Sequence, residues 1–266
     1  MPFPDSPRVI YRKNPLAEVI CQLRFPPILK IDAEPPARLQ DAIRAHYPLY
    51  SEASTRVLLP PNLPPEITKL IQDLGALRSA GLQHEFASPD KTWEATLTRE
   101  ALALKTTQYQ RWEDFRARLE RLHEAFRGEY RPAFYTRIGL RYVDVIRRSA
   151  LGLADVPWSE ILKPHIAGEF SAPDIAERIE TAFRAVLIRV DDSGGRVMIR
   201  HGIAVAEPTK EPCFVIDSDF FTEEQSEAAN VLNILDRFNR AAGELFRWCI
   251  QSGLHTALEP QSVDPR

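Results

Sequence analysis

The order of apolar patterns in this chain runs twice, and that repetition constrains its fold more than any other feature. Cys21-Gln-Leu-Arg-Phe25 aligns with Ile138-Gly-Leu-Arg-Tyr142, matching Leu23 with Leu140, Arg24 with Arg141 and Phe25 with Tyr142. In the first copy Val19, Cys21, Leu23 and Phe25 alternate with Glu18, Ile20, Gln22 and Arg24, the period of a half-buried strand. Pro35-Pro36 then opens a short helix from Ala37 to Tyr47, with Leu39, Ile43 and Tyr47 on one side and Pro48 as its stop. Residues 51 to 66, which include LLPPNLPPE, read as an extended loop, and Glu66 to Leu77 as a short helix. Strand patterns follow at Leu82 to Ala87, Thr92 to Thr98 and Ala101 to Gln108. A long amphipathic helix comes next, with Trp112, Phe115, Leu119, Leu122 and Phe126 spaced by three and four and Gly128 and Pro132 marking its end.

After residue 133 the order begins again. A short apolar helical segment lies at Trp158 to Ile166, and Pro173 to Ile179 adds a turn of helix. Arg184 to Val190 and Arg196 to Val205 flank the turn Asp191-Asp-Ser-Gly-Gly195, whose glycines accept positive φ, and Cys213 to Asp217 is a third strand. Thr222 with Gln225 has the spacing of a capping box for the last helix, which carries Val231, Leu235, Phe238, Ala242, Leu245 and Cys249 and closes at Gly253. Each half thus reads β-α-β-β-β-α. The expected fold is α+β: an internal duplication, residues 1–132 and 133–266, with antiparallel sheets each packed by a long helix and related by a pseudo-twofold. One half alone has an open sheet edge and a limited core, which favours one continuous unit.

The composition, 44% apolar and 27% charged, is that of an ordinary globular protein, and a net charge of −3 supplies no field to draw in nucleic acid or anionic lipid. The first residues lack the basic start and apolar block of a signal peptide, and no apolar run is long enough to span a membrane; a cytoplasmic location is the expectation. Cys21, Cys213 and Cys249 have no ligand spacing and read as buried free thiols.

On the strand TRIGLRYVDVI, Ile138, Leu140 and Tyr142 share the apolar face while Arg137, Gly139 and Arg141 take the other. Glycine between two arginines leaves room for the guanidinium groups to fold over the strand or for a ligand to approach. Arg24, Arg137 and Arg141 are therefore candidates for an anion-binding patch, since a planar guanidinium suits carboxylate and phosphate; Lys30, Arg147 and Arg148 would widen it. The structural alternative has the same arginines pairing with Glu18, Glu94 or Asp144.

Asp217-Ser-Asp219, placed at a strand end, has the look of a two-carboxylate metal site, although acids just before Thr222 also favour a helix start. Asp191 and Asp192 are turn residues. Six histidines are spread without zinc spacing, and His201 shares a buried strand face with Val197 and Ile199. Phosphate-loop, nucleophile-elbow and zinc-protease motifs are absent, and no cofactor is implied. Tyr47, Tyr50, Tyr109, Trp112 and Trp158 read as core or rim packing rather than as stacking platforms for single strands.

NPLAEVICQLRFPPIL at the start, RIGLRYVDVI mid-chain and a C-terminal IDSDFF before a long helix together resemble a sporadically distributed prokaryotic family of uncharacterised proteins about this length. The resemblance covers nearly the whole chain and carries no chemistry to assign to Arg141 or Asp219. Patchy distribution implies mobile genes, of the toxin-antitoxin or phage-defence kind. Three functions are expected from the sequence, led by a non-enzymatic binding or regulatory protein acting through a protein partner or self-association. The others are a small-molecule or nucleotide sensor with an arginine-lined anion site, and a metal-dependent phosphoryl-transfer or nuclease-like enzyme using Asp217 and Asp219.

Overall fold

Where the sequence alternates, the chain forms sheet, and where apolar residues recur by three and four it lays a helix on that sheet. The computed structural model of the chain describes residues 2–54, 82–206 and 209–263. The helix expected at Glu66 to Leu77 and most of the extended loop before it lie outside the described residues.

The strands in chain order are β1 (Val9–Tyr11), β2 (Leu16–Arg24), β3 (Leu49–Ser54), β4 (Leu82–Ala87), β5 (Trp93–Thr98), β6 (Ala101–Thr106), β7 (Arg137–Ile146), β8 (Phe183–Arg189), β9 (Arg196–Ala206), β10 (Glu211–Thr222) and β11 (Pro260–Ser262). Short helices α1 (Lys30–Ala33) and α2 (Ala37–Ile43) follow β2, and the long α3 (Trp112–Tyr130) follows β6. After β7 come α4 (Trp158–Ile161) and α5 (Pro164–Ala167); the long α6 (Val231–Cys249) and short α7 (Ser252–Ala257) follow β10.

The fold is α+β, built on a large antiparallel sheet whose described strands run β3-β4-β5-β6-β2-β7-β10-β9-β8. Strands β1 and β11 form a separate antiparallel ribbon. The central pair is β2 and β7, joined in a register that sets Gln22 opposite Gly139 and Arg24 opposite Arg137. One face of the sheet carries Val19, Cys21, Leu23, Leu102, Leu104, Ile138, Leu140, Ile216 and Phe220, all buried in one apolar core with Phe115, Leu119, Leu122 and Phe126 of α3 and Leu235, Phe238 and Leu245 of α6. Burying each such side chain contributes roughly 1.5–3 kcal/mol, so the two helices are held chiefly by these stripes. They are also tied to one another, because Trp112 Nε1 and Arg116 Nε both donate to Asp236 of α6, at 2.7 and 3.1 Å.

Several local expectations need correction. Residues 49–54 are strand β3, paired with β4, where a loop was expected from residue 51; pairing to a neighbouring strand is not a local signal. Thr222 does not cap the last helix. Its Oγ1 accepts the Glu224 N–H at 3.2 Å in a turn, Ser226 then exchanges two backbone hydrogen bonds with Tyr135, and a 3-10 turn at Ala228–Asn230 leads into α6 at Val231. The long helix α3 continues past Gly128 to Tyr130, with Arg131 in the left-handed conformation as its cap. Likewise α6 ends at Cys249, and Gly253 lies inside α7. The 191–195 turn forms as expected, with Gly194 at φ 84° and Asp191 Oδ1 accepting the N–H groups of Ser193 and Gly195. Cys21, Cys213 and Cys249 are free and buried, and His201 is buried on the helix-facing side. No helix among the described residues is long and apolar enough to cross a membrane.

Candidate ligand-binding site

Alternation along β7 and β10 sends ionisable side chains to both faces of the sheet centre. On the face without the long helices, the structure brings together the arginines and aspartates that the sequence offered as two separate sites. Arg141 donates to both oxygens of Asp217, from Nε at 2.7 Å and Nη2 at 2.9 Å, and Arg200 Nη1 of β9 reaches Asp217 Oδ2 at 3.2 Å. Arg137 Nη2 donates to both oxygens of Asp219 at 2.9–3.0 Å, and Nη1 reaches Gln22 Oε1 at 3.3 Å. Gly139 makes room for this: a Cβ there would stand 2.3 Å from Arg137 Nη1. The Arg137 guanidinium also lies over the Phe221 ring, 4.9 Å from its centroid.

The partners are Asp217 and Asp219, not the Glu18, Glu94 or Asp144 suggested by sequence. Both aspartates lie inside the twelve-residue strand β10 rather than at its end. Burial works against the Arg141 charge, yet the adjoining Asp217 carboxylate more than offsets it and holds the guanidinium above its ordinary pKa. Arg24 sits across from Arg137, and burial first, then that neighbouring charge, holds its pKa below the arginine norm. An anion placed here would compete with Asp217 and Asp219 for the same N–H donors, and a metal ion would compete with the guanidinium groups for the same oxygens. Among the described residues no cluster of three or more His, Cys, Asp or Glu side chains has the arrangement of a metal site.

The opposite face of the same strands floors a cavity of about 470 Å³. Tyr142 and Asp144 of β7 and Ser218 of β10 form that floor, α6 supplies Asn239, Gly243, Glu244 and Arg247, and residues 6–11 with Tyr109 to Trp112 complete the walls. Asn239, Gly243 and Arg247 follow one another at four-residue intervals, so helical geometry turns them to one side. The N-terminal segment is strapped over the cavity by Arg8, bidentate on Glu113 of α3 at 2.7 and 2.9 Å, and by Asp5, which accepts from Arg240 of α6 at 3.1 Å.

Most polar groups of the wall are engaged. Tyr142 Oη donates to Asn239 Oδ1 at 2.9 Å, Tyr11 Oη bonds His255 Nδ1 at 2.8 Å, and Asn14 Nδ2 donates to the Tyr109 carbonyl at 2.9 Å. Three are not. No hydrogen bond or ion pair among the described residues holds the Asp144 carboxyl, although the residue is 6% exposed. Glu244 accepts Arg240 Nε on Oε1 at 3.1 Å while its Oε2 is buried without a partner, and Arg247 Nη1 is buried without one as well. Burial, and secondarily Asp217 across the sheet, pushes the Asp144 pKa up to about 8. Tyr11 stands near Asp144 and Arg247: burial raises its pKa to about 12, the Arg247 charge and a hydrogen bond with Arg247 pull it down, and Asp144 pushes it further up.

Sequence reasoning overlooked Asp144 as a site residue although the signal was present. Its parity is that of Ile138, Leu140 and Tyr142, so the strand period puts a carboxyl on the apolar, helix-facing side. No protein-family model matches the chain and no curated protein matches its sequence, which leaves the site's own chemistry to carry the functional argument.

Proposed function

We propose that the chain is a small-molecule binding protein, a sensor rather than an enzyme, whose ligand occupies the cavity between α6, the N-terminal segment and the floor of β7 and β10. The observation that carries this reading is the Asp144 carboxyl, buried, unpartnered and set in the wall of a roomy cleft. A buried polar group left unpaired costs roughly 1–3 kcal/mol, more when charged, and a ligand that satisfies it recovers that cost. The sensor reading differs from the sequence expectation in its residues: the recognising groups are Asp144, Glu244 and Arg247, while Arg24, Arg137 and Arg141 belong to the ion-paired face.

The duplication is part of the proposal, since it explains why the cavity lies beside the central strand pair. Outward from β2 the sheet runs β6, β5, β4, and outward from β7 it runs β10, β9, β8, with a long helix after β6 and after β10. The alignment that equates Arg24 with Arg141 also equates Gln22 with Gly139, and those two residues face each other across β2 and β7. A pseudo-twofold through that pair supports two related halves, 1–132 and 133–266, closing on one core.

The test is native mass spectrometry of the gently purified chain, with thermal-shift screening of a metabolite collection against it and against Gly243→Leu. A co-purified or stabilising small molecule that the leucine excludes is the expected outcome. A chain that carries nothing, responds to nothing and is indifferent to Gly243→Leu would end the reading.

Action through a protein partner is a second reading, favoured by β8. Among the described strands it ends the sheet, and Val186 and Leu187 are 45% and 52% exposed on it, which suits strand-to-strand self-association. Light scattering distinguishes the two: a dimer dispersed by Leu187→Lys supports it, and a monomer at all concentrations removes it. A role in a toxin-antitoxin or defence pair rests on the sequence resemblance alone.

A further inference from the structure

Two charges of opposite sign line the cavity without meeting. Arg240 is taken by Asp5 and Glu244, Arg8 by Glu113 and Arg111 by Asp114. Asp144 and Arg247 remain, and no ion pair joins them to each other or to another described residue. We propose that the cavity binds a small zwitterion of the amino-acid type, its ammonium group on Asp144 and its carboxylate on Arg247. This rests on the reading of the cavity as a ligand site and deepens it.

Each end of such a ligand answers an open valence. An ammonium donates to the Asp144 carboxylate and to Glu244 Oε2, the buried acceptor that Arg240 leaves unused. A carboxylate accepts from Arg247 Nη1, which has no other acceptor. Burial favours the neutral acid at Asp144 when the cavity lacks a cation, and an arriving ammonium restores the carboxylate as the proton leaves to solvent. A simple anion would leave Asp144 unanswered, and a simple cation would leave Arg247 so.

The walls fit the rest of the molecule. Tyr11, Tyr109, Trp112, Tyr142 and Phe246 supply aromatic surface, which suits an apolar or aromatic side chain. Gly243 stands in the middle of α6, where glycine costs about 0.5–1 kcal/mol relative to alanine, and a Cβ there would meet no heavy atom within 4 Å. Packing therefore does not require glycine at this point, and its missing side chain enlarges the cavity.

The experiment is calorimetry and thermal shift on the full chain with each of the common amino acids as probe. The amino acid with the largest response is then compared with its amine lacking the carboxylate and its acid lacking the amine. At least one amino acid is expected to bind, and each half-ligand to bind at least about tenfold more weakly, the effect of losing roughly 1.4 kcal/mol. Arg247→Gln should lower the amino acid to the affinity of its amine while leaving the amine unchanged; Asp144→Asn should do the converse with the acid. An amine or an acid that binds as tightly as the amino acid overturns the proposal, as does the absence of any amino-acid binding. If a co-purified molecule is then found that Gly243→Leu expels, the ligand class alone has failed and the cavity reading stands. If none is found, both fail.

Discussion

Strands β7 and β10 carry charged side chains on both faces, and the two faces treat them in opposite ways. On the open face Asp217 and Asp219 are met by Arg141, Arg200 and Arg137, with Arg200 Nε the atom left over. On the helix face Asp144 and Arg247 have no counter-charge, and a cavity lies beside them. Residues three positions apart on β7 thus differ in kind: Arg141 is charge-paired with Asp217 of β10, whereas Asp144 is buried with no partner among the described residues. The burial of an ionisable group does not tell which of these it is; its partners do.

Mutation should separate the faces most sharply at the two aspartates. Replacing Asp217 with Ala leaves Arg141 and Arg200 buried without their carboxylate and is expected to destabilise the fold by roughly 3–5 kcal/mol in urea denaturation. Asp144→Asn should act in the other direction. The Asp144 pKa of about 8 lies above the ordinary 3.8, so between those values the folded state holds a proton that the unfolded state has lost. Wild-type stability from this group therefore falls as pH rises from about 4 to about 8, by at most ~1.4 kcal/mol per pH unit. Asparagine removes that slope. Denaturation midpoints for both variants at pH 5 and pH 8 check the pair, and an Asp144→Asn variant less stable than wild type at pH 8 would erase the contrast.

Acid reads the histidines instead. Burial, then Arg127, lowers the His123 pKa to about 4, and burial, then Arg184, does the same for His201. His123 Nε2 is hydrogen-bonded to Tyr135 Oη at 2.7 Å. A histidine kept neutral in the fold contributes stability above its unfolded pKa near 6.5 that is lost as pH falls towards 4. Asp144→Asn isolates this loss, because the opposing aspartate slope is gone; His123→Gln should then flatten it by up to about 1.4 kcal/mol per pH unit. The smallest effects belong to the glycines. Gly243→Ala is expected to stabilise α6 by about 0.5–1 kcal/mol in thermal unfolding. Gly139→Ala, by pushing Arg137 off Asp219 and Gln22, should destabilise by about 1–2 kcal/mol.

Much of the fold was legible because its signals are local. The alternation of Val19, Cys21 and Leu23 and of Ile138, Leu140 and Tyr142 identified the two central strands and their core faces. The three-and-four spacing of Phe115 to Phe126 and of Val231 to Cys249 identified the helices that cover them. Where a segment's state depends on a distant neighbour the reading failed. Residues 49–54 become strand because β4 pairs with them, and Thr222 remains in strand and turn because Ser226 is held by Tyr135.

By itself the sequence determined which residues share a face, since the strand and helix periods are properties of a few consecutive residues. It placed Arg137 with Arg141 and Asp217 with Asp219; the same parity puts Asp144 on the core side, which the expectation that it pairs with the arginines missed. Tertiary structure decided what those faces meet. Arg137 and Asp219 stand 82 residues apart in the chain and Arg141 and Asp217 stand 76 apart, so only sheet pairing turns two candidate sites into one ion-paired network. Only the docking of α6 and the N-terminal segment beside β7 leaves Asp144 and Arg247 without an ion-pair partner among the described residues in a shared cavity. Charge pairing acts over a few ångströms of space and is blind to separation along the chain.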